Sequence, residues 1–123
     1  MSPERLGSVW LVTDNAATPP AAPEVTTDEL ATAMELGAFV LDVRRDEEYA
    51  EKRVPGAVLI PLDQLGARVD EVPKDKPVWV VCAVGARSLK AATALRGVGV
   101  DAVSVAGGTN KWVEEGRPFE SGS

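Results

Sequence analysis

The sequence lacks histidine altogether, and Cys82 is the only cysteine among its 123 residues. Without imidazole there is neither a histidine general base nor a histidine metal ligand, and one cysteine can build neither a zinc cluster nor an internal disulfide. We therefore expect no metal site and no cofactor. A lone thiol that stays reduced is typical of the cytoplasm, which is the expected location.

Positive charge is also scarce, because 13 lysines and arginines face 19 acidic residues and give a formal net charge of −6. Nucleic acids and anionic membranes bind proteins with a basic footprint, so we expect neither as a partner. Long apolar runs are missing too. The segment VWLVT at residues 9–13 is too short to cross a membrane.

The length of the chain fits one domain, and 45% hydrophobic residues suffice for a single core. Residues 1–23 are predicted to form an N-terminal extension whose last part, DNAATPPAAP, is an alanine- and proline-rich linker. The domain is expected over residues 24–119, followed by a short tail at 120–123. Trp10 in the extension either contacts a partner or substrate or docks onto the domain, and both interpretations stay open.

The most informative stretch is VWVVCAVGARS at residues 78–88. Its apolar, valine-rich start has no polar alternation, which is typical of a central parallel strand buried on both faces. From Ser88 onward, small and apolar residues follow a helical period. Cys82 thus lies at the carboxyl end of a strand, where open α/β sheets bind ligands, and Gly85 lets the loop turn so that backbone amides converge on an anion.

The rest of the domain alternates between strands and helices. Thr26 and Glu29 form a capping-box pattern that predicts a helix over 27–36. Further strands are predicted over 38–43, 57–60 and 102–106, and further helices over 46–52 and 62–69, with a last helix that begins at Asn110. This alternation predicts an α/β fold, with a central parallel sheet of about five strands and helices on both faces.

Three motifs in this order resemble the rhodanese family. CAVGARS resembles the family's active-site loop, Cys-x-x-Gly-x-Arg-Ser/Thr. Upstream, LDVRRDEEYAEKRVPGAVLIPL resembles its Asp-x-Arg, Glu-Tyr and Pro-Gly-Ala signature, and downstream GGTNKWVEEGRP resembles its Gly-Gly-x-x-x-Trp and Gly-x-Pro ending. The resemblance covers residues 24–119 and implies a single-domain rhodanese, because the chain has length for one copy.

The resemblance implies a sulfurtransferase in which Cys82 is the nucleophile. Its thiolate would attack the outer sulfur of thiosulfate or a related small anionic donor, and the resulting persulfide would pass the sulfur to cyanide or a thiol. A protein could also supply or accept that sulfur. The helix dipole lowers a thiol pKa by about one unit or less, so Arg87 and the loop amides are expected to supply the rest. The donor is expected to contact the loop residues Ala83, Val84, Gly85, Ala86, Arg87 and Ser88.

Other positions have two interpretations each. By resemblance Asp42 and Arg44 orient the active-site loop, although such a pair at a strand end could equally tie down the turn. Lys111 adds charge near a substrate anion or is a solvated lysine, whereas Trp112 is expected in the core. Arg53 stands where the family usually has histidine, and a solvated side chain is expected there.

Two alternative functions come from other classes. Cysteine phosphatases and arsenate reductases also use a loop from cysteine to arginine, but theirs has five intervening residues, whereas this chain has four, from Ala83 to Ala86. A smaller ring of amides suits a sulfur atom better than a phosphoryl group. The other alternative is a non-catalytic rhodanese-like module that binds a partner or a sulfur carrier. Such modules often lose the cysteine, which is present here.

Overall fold

The fold is described from a computed structural model that covers residues 21–122. Trp10 and most of the predicted N-terminal extension lie outside this range. Five parallel strands form one sheet in the order β1-β5-β4-β2-β3. Their bounds are β1 Glu24–Val25, β2 Phe39–Asp42, β3 Val58–Leu59, β4 Val78–Val81 and β5 Ala102–Val105. The predicted parallel α/β sheet is confirmed, with β4 at its centre.

The helices are α1 Thr27–Glu35, α2 Asp46–Glu51, α3 Leu62–Leu65, α4 Ala86–Gly97 and α5 Gly108–Glu114, with a short 3₁₀ turn at Val69–Glu71. The capping box at Thr26 and Glu29 is confirmed, since each side chain accepts a hydrogen bond from the other's backbone amide. α4 begins at Ala86, earlier than the predicted Ser88. The reason is Gly85, whose left-handed backbone (φ +112°) ends the loop and starts the helix directly after it.

Both faces of the sheet are covered, as the uniform apolar character of β4 predicted. On one face the buried side chains of β2 and β4 pack against Ala91 and Leu95 of α4 and Leu65 of α3. On the other face they pack against Leu30 of α1 and Trp112 of α5. Trp112 is therefore a core residue, as expected.

The prediction that Arg53 is a solvated side chain is wrong. Its guanidinium lies 4.5 Å from the centre of the Tyr49 ring and donates a hydrogen bond of 3.1 Å to the Tyr49 carbonyl. Its backbone also pairs with Glu120 in an antiparallel bridge. Arginine stacks on aromatic rings and has several donors, so it can anchor the C-terminal residues against α2 where a solvated side chain would not.

The sheet places three strand ends close together. Asp42 at the end of β2 lies opposite Val81 at the end of β4, and the Val43 amide donates to the Val81 carbonyl at 3.1 Å. β5 ends beside them on the other side of β4. No helix within residues 21–122 is long and apolar enough to cross a membrane.

Candidate active site

The segment after β4 wraps around the sulfur of Cys82. The Cys82 side chain is fully buried, and the Gly85 amide lies 3.0 Å from Sγ. Because Gly85 has a positive φ, the loop can fold back within three residues so that its amide points at the sulfur. Val84 lies at the outer surface of the loop, where 63% of the residue is exposed. The loop thus encloses the sulfur with donors inside and an apolar residue outside.

The surroundings of Cys82 favour the thiolate. Burial by itself raises the pKa of the thiol, because it takes the charged form out of water. Hydrogen bonds from the Ser88 hydroxyl and from the amides of Ser88, Gly85 and Val84 act in the opposite direction and outweigh burial, so the pKa of Cys82 is lower than usual. Hydrogen bonding inside the loop, rather than a neighbouring cation, is the main cause of that lowering.

Ser88 is the polar side chain in contact with the sulfur. Its Oγ lies 3.4 Å from Cys82 Sγ and 3.1 Å from the Gly85 carbonyl, and it is fully buried in the first turn of α4. The Oγ of Ser104 on β5 lies 2.8 Å from Ser88 Oγ. Sequence reasoning did not identify Ser104. The available signal was a single small polar residue inside the apolar strand AVSV.

Arg87 does not lie beside the sulfur as a free cation, because it is paired with Glu48 of α2. Its two terminal nitrogens each donate a hydrogen bond of 2.9 Å to a different carboxylate oxygen of Glu48. The Arg87 hydrogen bond is the main reason that the pKa of Glu48 falls to about 2. Sequence reasoning missed this partner, although Glu48 stands in the Glu-Tyr motif, because nothing local links residues 39 positions apart.

Asp42 and Arg44 form a buried pair at the end of β2. Arg44 donates hydrogen bonds from its backbone amide, Nε and Nη2 to the Asp42 carboxylate at distances between 2.8 and 3.1 Å. Its Nη2 also donates to the Lys52 carbonyl at 2.7 Å. These contacts tie the β2 end to the C-terminal end of α2, the helix that carries Glu48. The pair thus ties down the turn after β2, which is one of the two interpretations that the sequence left open.

The start of α5 holds the active-site loop from its other side. The Thr109 amide donates to the Cys82 carbonyl at 2.8 Å, and the Asn110 amide donates to the Ala83 carbonyl at 3.0 Å. A Cβ at Gly108 would collide with both of those carbonyl oxygens. The absence of a side chain at Gly108 therefore lets the backbone of α5 approach the loop. α5 begins at Gly108 rather than at the predicted Asn110, so that the amides of Thr109 and Asn110, which donate to the loop, belong to its first turn.

Two further features border the site. Lys111 is exposed, and its side chain covers the left-handed Gly107, whose amide faces Gly85. A cleft of about 580 Å³ lies between the segment after β2 and the start of α3, with Arg87 in its wall. Cys82 does not line that cleft. Within residues 21–122, no three histidine, cysteine, aspartate or glutamate side chains are grouped closely enough to hold a metal ion.

Comparison with known proteins gives a consistent result. Residues 26–115 match the Rhodanese-like domain family. A crystal structure of a rhodanese-like domain protein from Staphylococcus aureus superposes with a TM-score of 0.74 at 38% identity, over 82% of this chain and 99% of that chain. A sulfurtransferase from Allochromatium vinosum is 34% identical over 82 residues, which are 66% of this chain and 77% of the relative.

A longer relative extends the comparison. A tRNA sulfurtransferase from Desulfurococcus amylolyticus is 30% identical over 109 residues, and the match spans 89% of this chain but 22% of the relative. Similarity to a short single-domain protein along almost its whole length carries more weight than similarity to part of a long one. From the matched residues, the shared fold and the loop around Cys82, we conclude that this chain belongs to the rhodanese-like sulfurtransferase family.

Proposed function

We propose that the protein transfers a sulfane sulfur from thiosulfate or a related small anionic donor to an external acceptor, through a persulfide on Cys82. The observation that carries the proposal is the sulfur of Cys82 enclosed by amide and hydroxyl donors, with the Gly85 amide at 3.0 Å and Ser88 Oγ at 3.4 Å. Such donors favour the thiolate, which is the reactive form of cysteine.

In the first half-reaction the Cys82 thiolate attacks the outer sulfur of thiosulfate. The bond between the two sulfur atoms of the donor breaks, its electron pair leaves with sulfite, and a new S–S bond forms on Cys82. In the second half-reaction cyanide or a thiolate attacks the outer sulfur of the persulfide. The S–S bond on Cys82 breaks and the thiolate is regenerated, so no outside oxidant or reductant is needed.

Arg87 binds the donor without releasing Glu48. A guanidinium has five N–H groups, and the pair with Glu48 uses two of them. We infer that the remaining N–H groups bind the sulfonate oxygens of the donor and then stabilise the negative charge that develops on departing sulfite. Glu48 holds the planar group in position, and the neutral loop residues Ala83, Val84 and Ala86 give selectivity for little beyond a small anion.

The donor has to reach a sulfur that the loop covers. Since Cys82 is fully buried, the loop has to move outward before the outer sulfur of the donor can touch Cys82 Sγ. α4 and the start of α5 hold both ends of the loop, so this movement is confined to its middle residues. A small donor therefore suits the site better than a bulky one.

The acceptor lies outside this chain. Cys82 is the only cysteine, so the persulfide sulfur cannot be relayed to a second thiol within the protein. We infer that the acceptor is an external nucleophile such as cyanide or a thiol, carried by a small molecule or by another protein. A reducing cytoplasm, where such thiols are abundant, suits a reaction that depends on one free cysteine.

Steady-state kinetics with thiosulfate and cyanide test the proposal. A covalent intermediate predicts ping-pong behaviour, that is, parallel lines in double-reciprocal plots at several cyanide concentrations. Cys82→Ser retains the size of the side chain and should abolish thiocyanate formation. If wild type and Cys82→Ser form thiocyanate at the same rate, or if neither forms it with any sulfane donor, the proposed activity is wrong.

A further inference from the structure

A buried chain of three side chains links the sulfur to the sheet. Cys82 Sγ lies 3.4 Å from Ser88 Oγ, which lies 2.8 Å from Ser104 Oγ on β5. All three side chains are fully buried, so water does not compete for their hydrogen bonds. The Ser104 hydroxyl has no part in the mechanism described above.

The number of protons on these three side chains fixes the direction of the hydrogen bonds between them. In the thiol state the S–H group donates to Ser88 Oγ, and the Ser88 hydroxyl donates to the Gly85 carbonyl at 3.1 Å. In the thiolate state the sulfur has no proton, so the Ser88 hydroxyl must turn and donate to Sγ. The Gly85 carbonyl is not left unpaired by this turn, because the Leu89 amide also donates to it at 3.1 Å.

In both states Ser88 donates its only hydroxyl proton, either to the Gly85 carbonyl or to the sulfur, so its bond to Ser104 can form in one direction only. Ser104 must donate, and Ser88 Oγ must accept. A hydroxyl that accepts a hydrogen bond becomes a stronger donor, and estimates of this cooperative strengthening are about 10–30% per bond. We propose that Ser104 is a positioning residue that stabilises the Cys82 thiolate through Ser88.

The charged groups near Cys82 contribute little to stabilising its thiolate, because most of them are paired with one another. Arg87 of α4 is bound to Glu48 of α2, and Asp42 is bound to Arg44 after β2. α5 contributes the exposed Lys111, and β5 has no charged residue along AVSV. Uncharged hydrogen-bond donors inside the loop therefore contribute most to stabilising the Cys82 thiolate.

The test is the pH dependence of the Cys82 thiolate, followed by its ultraviolet absorbance and by the rate of alkylation with iodoacetamide. Ser104→Ala should raise the pKa of Cys82 by about half a unit, and Ser88→Ala should raise it by about one unit or more. Ser104→Thr keeps the hydroxyl and should restore the wild-type value. Thermal melts of each variant establish that the fold is intact.

The double variant Ser88→Ala with Ser104→Ala tests whether Ser104 acts on Cys82 through Ser88. If Ser104 acts through Ser88, Ser104→Ala should have no further effect on the pKa once Ser88 is alanine. An unchanged pKa in Ser104→Ala, or a shift of equal size with and without Ser88, would overturn the inference. This inference rests on the proposed function, in which Cys82 is the nucleophile, but the pKa of Cys82 can be measured without any turnover. If Ser104 proves to have no effect on the pKa of Cys82, the proposed sulfur transfer is unaffected. If the protein transfers no sulfur, the effect of Ser104 on the pKa can still be measured.

Discussion

Arg87 and Glu48 are joined by two parallel hydrogen bonds of 2.9 Å, although they come from different helices and lie 39 residues apart in the chain. This fork-to-fork geometry fixes the plane of the guanidinium as well as its charge. The pair also connects α2 to the first turn of α4, directly after the loop that encloses Cys82. The orientation of Arg87 thus depends on a residue outside the loop.

Glu48→Gln should make the free energy of unfolding depend less on pH in the acidic range. The pKa of Glu48 is about 2 in the folded protein and 4.5 as its ordinary value. A lowered pKa stabilises the fold fully above the unfolded value, and this contribution is lost as the pH falls from about 4.5 towards 2. Both side chains are about one-third exposed, so the contribution near neutral pH should be about 1 kcal/mol.

Urea unfolding at several pH values measures this difference. The gap in unfolding free energy between wild type and Glu48→Gln should be largest near neutral pH and should close in acid. Glu47→Gln is the matched control, because Glu47 is an exposed neighbour on the same helix and makes no ion pair within residues 21–122. A gap that is the same at all pH values, or equal for the two variants, would contradict the account.

Arg87→Lys should lower kcat/KM for thiosulfate by about 10- to 100-fold. Lysine keeps the positive charge but cannot hold Glu48 with two bonds and contact the donor at the same time. The matched comparison is Arg96→Lys on the same helix, whose arginine contacts Asp101 and the Ala102 carbonyl at the far end of α4. The proposed role of Arg87 is wrong if both variants retain the wild-type kcat/KM.

Gly108→Ala should destabilise the fold by at least about 2 kcal/mol, because glycine there has a positive φ and a Cβ would lie 2.8 Å from the Ala83 carbonyl oxygen. Gly66→Ala is the control, since Gly66 has a right-handed helical backbone and no heavy atom near its Cβ position. It should leave stability unchanged or raise it by up to about 1 kcal/mol. Equal unfolding midpoints for the two variants would show that the loop and α5 are not packed as described.

Local patterns in the sequence predicted much of this structure. The apolar run before Cys82 indicated the central strand, and the capping box at Thr26 indicated the start of α1. The Gly-Gly motif after β5 resembled the family's ending, and in the structure Gly108 permits a backbone contact with the loop that a Cβ would block.

The errors concern contacts between residues that are distant in the sequence. The Glu48 partner of Arg87 and the aromatic partner of Arg53 depend on how helices pack, which residue spacing does not encode. Arg87 and the loop amides were expected to lower the pKa of Cys82 together, and the amides do so, but the Ser88 hydroxyl takes the part expected of Arg87. Local motifs therefore identified the loop, whereas the structure was needed to identify what positions it.

The most direct test of sulfur transfer is the intact mass of the protein after incubation with thiosulfate alone. Sulfur transfer through a persulfide on Cys82 predicts a mass gain of about 32 Da, one sulfur atom, on the wild type and none on Cys82→Ser. The gain should disappear when cyanide is added, with one thiocyanate released per adduct. A wild-type protein that gains no sulfur from thiosulfate or from a persulfide donor, or a Cys82→Ser variant that gains as much, would contradict the account.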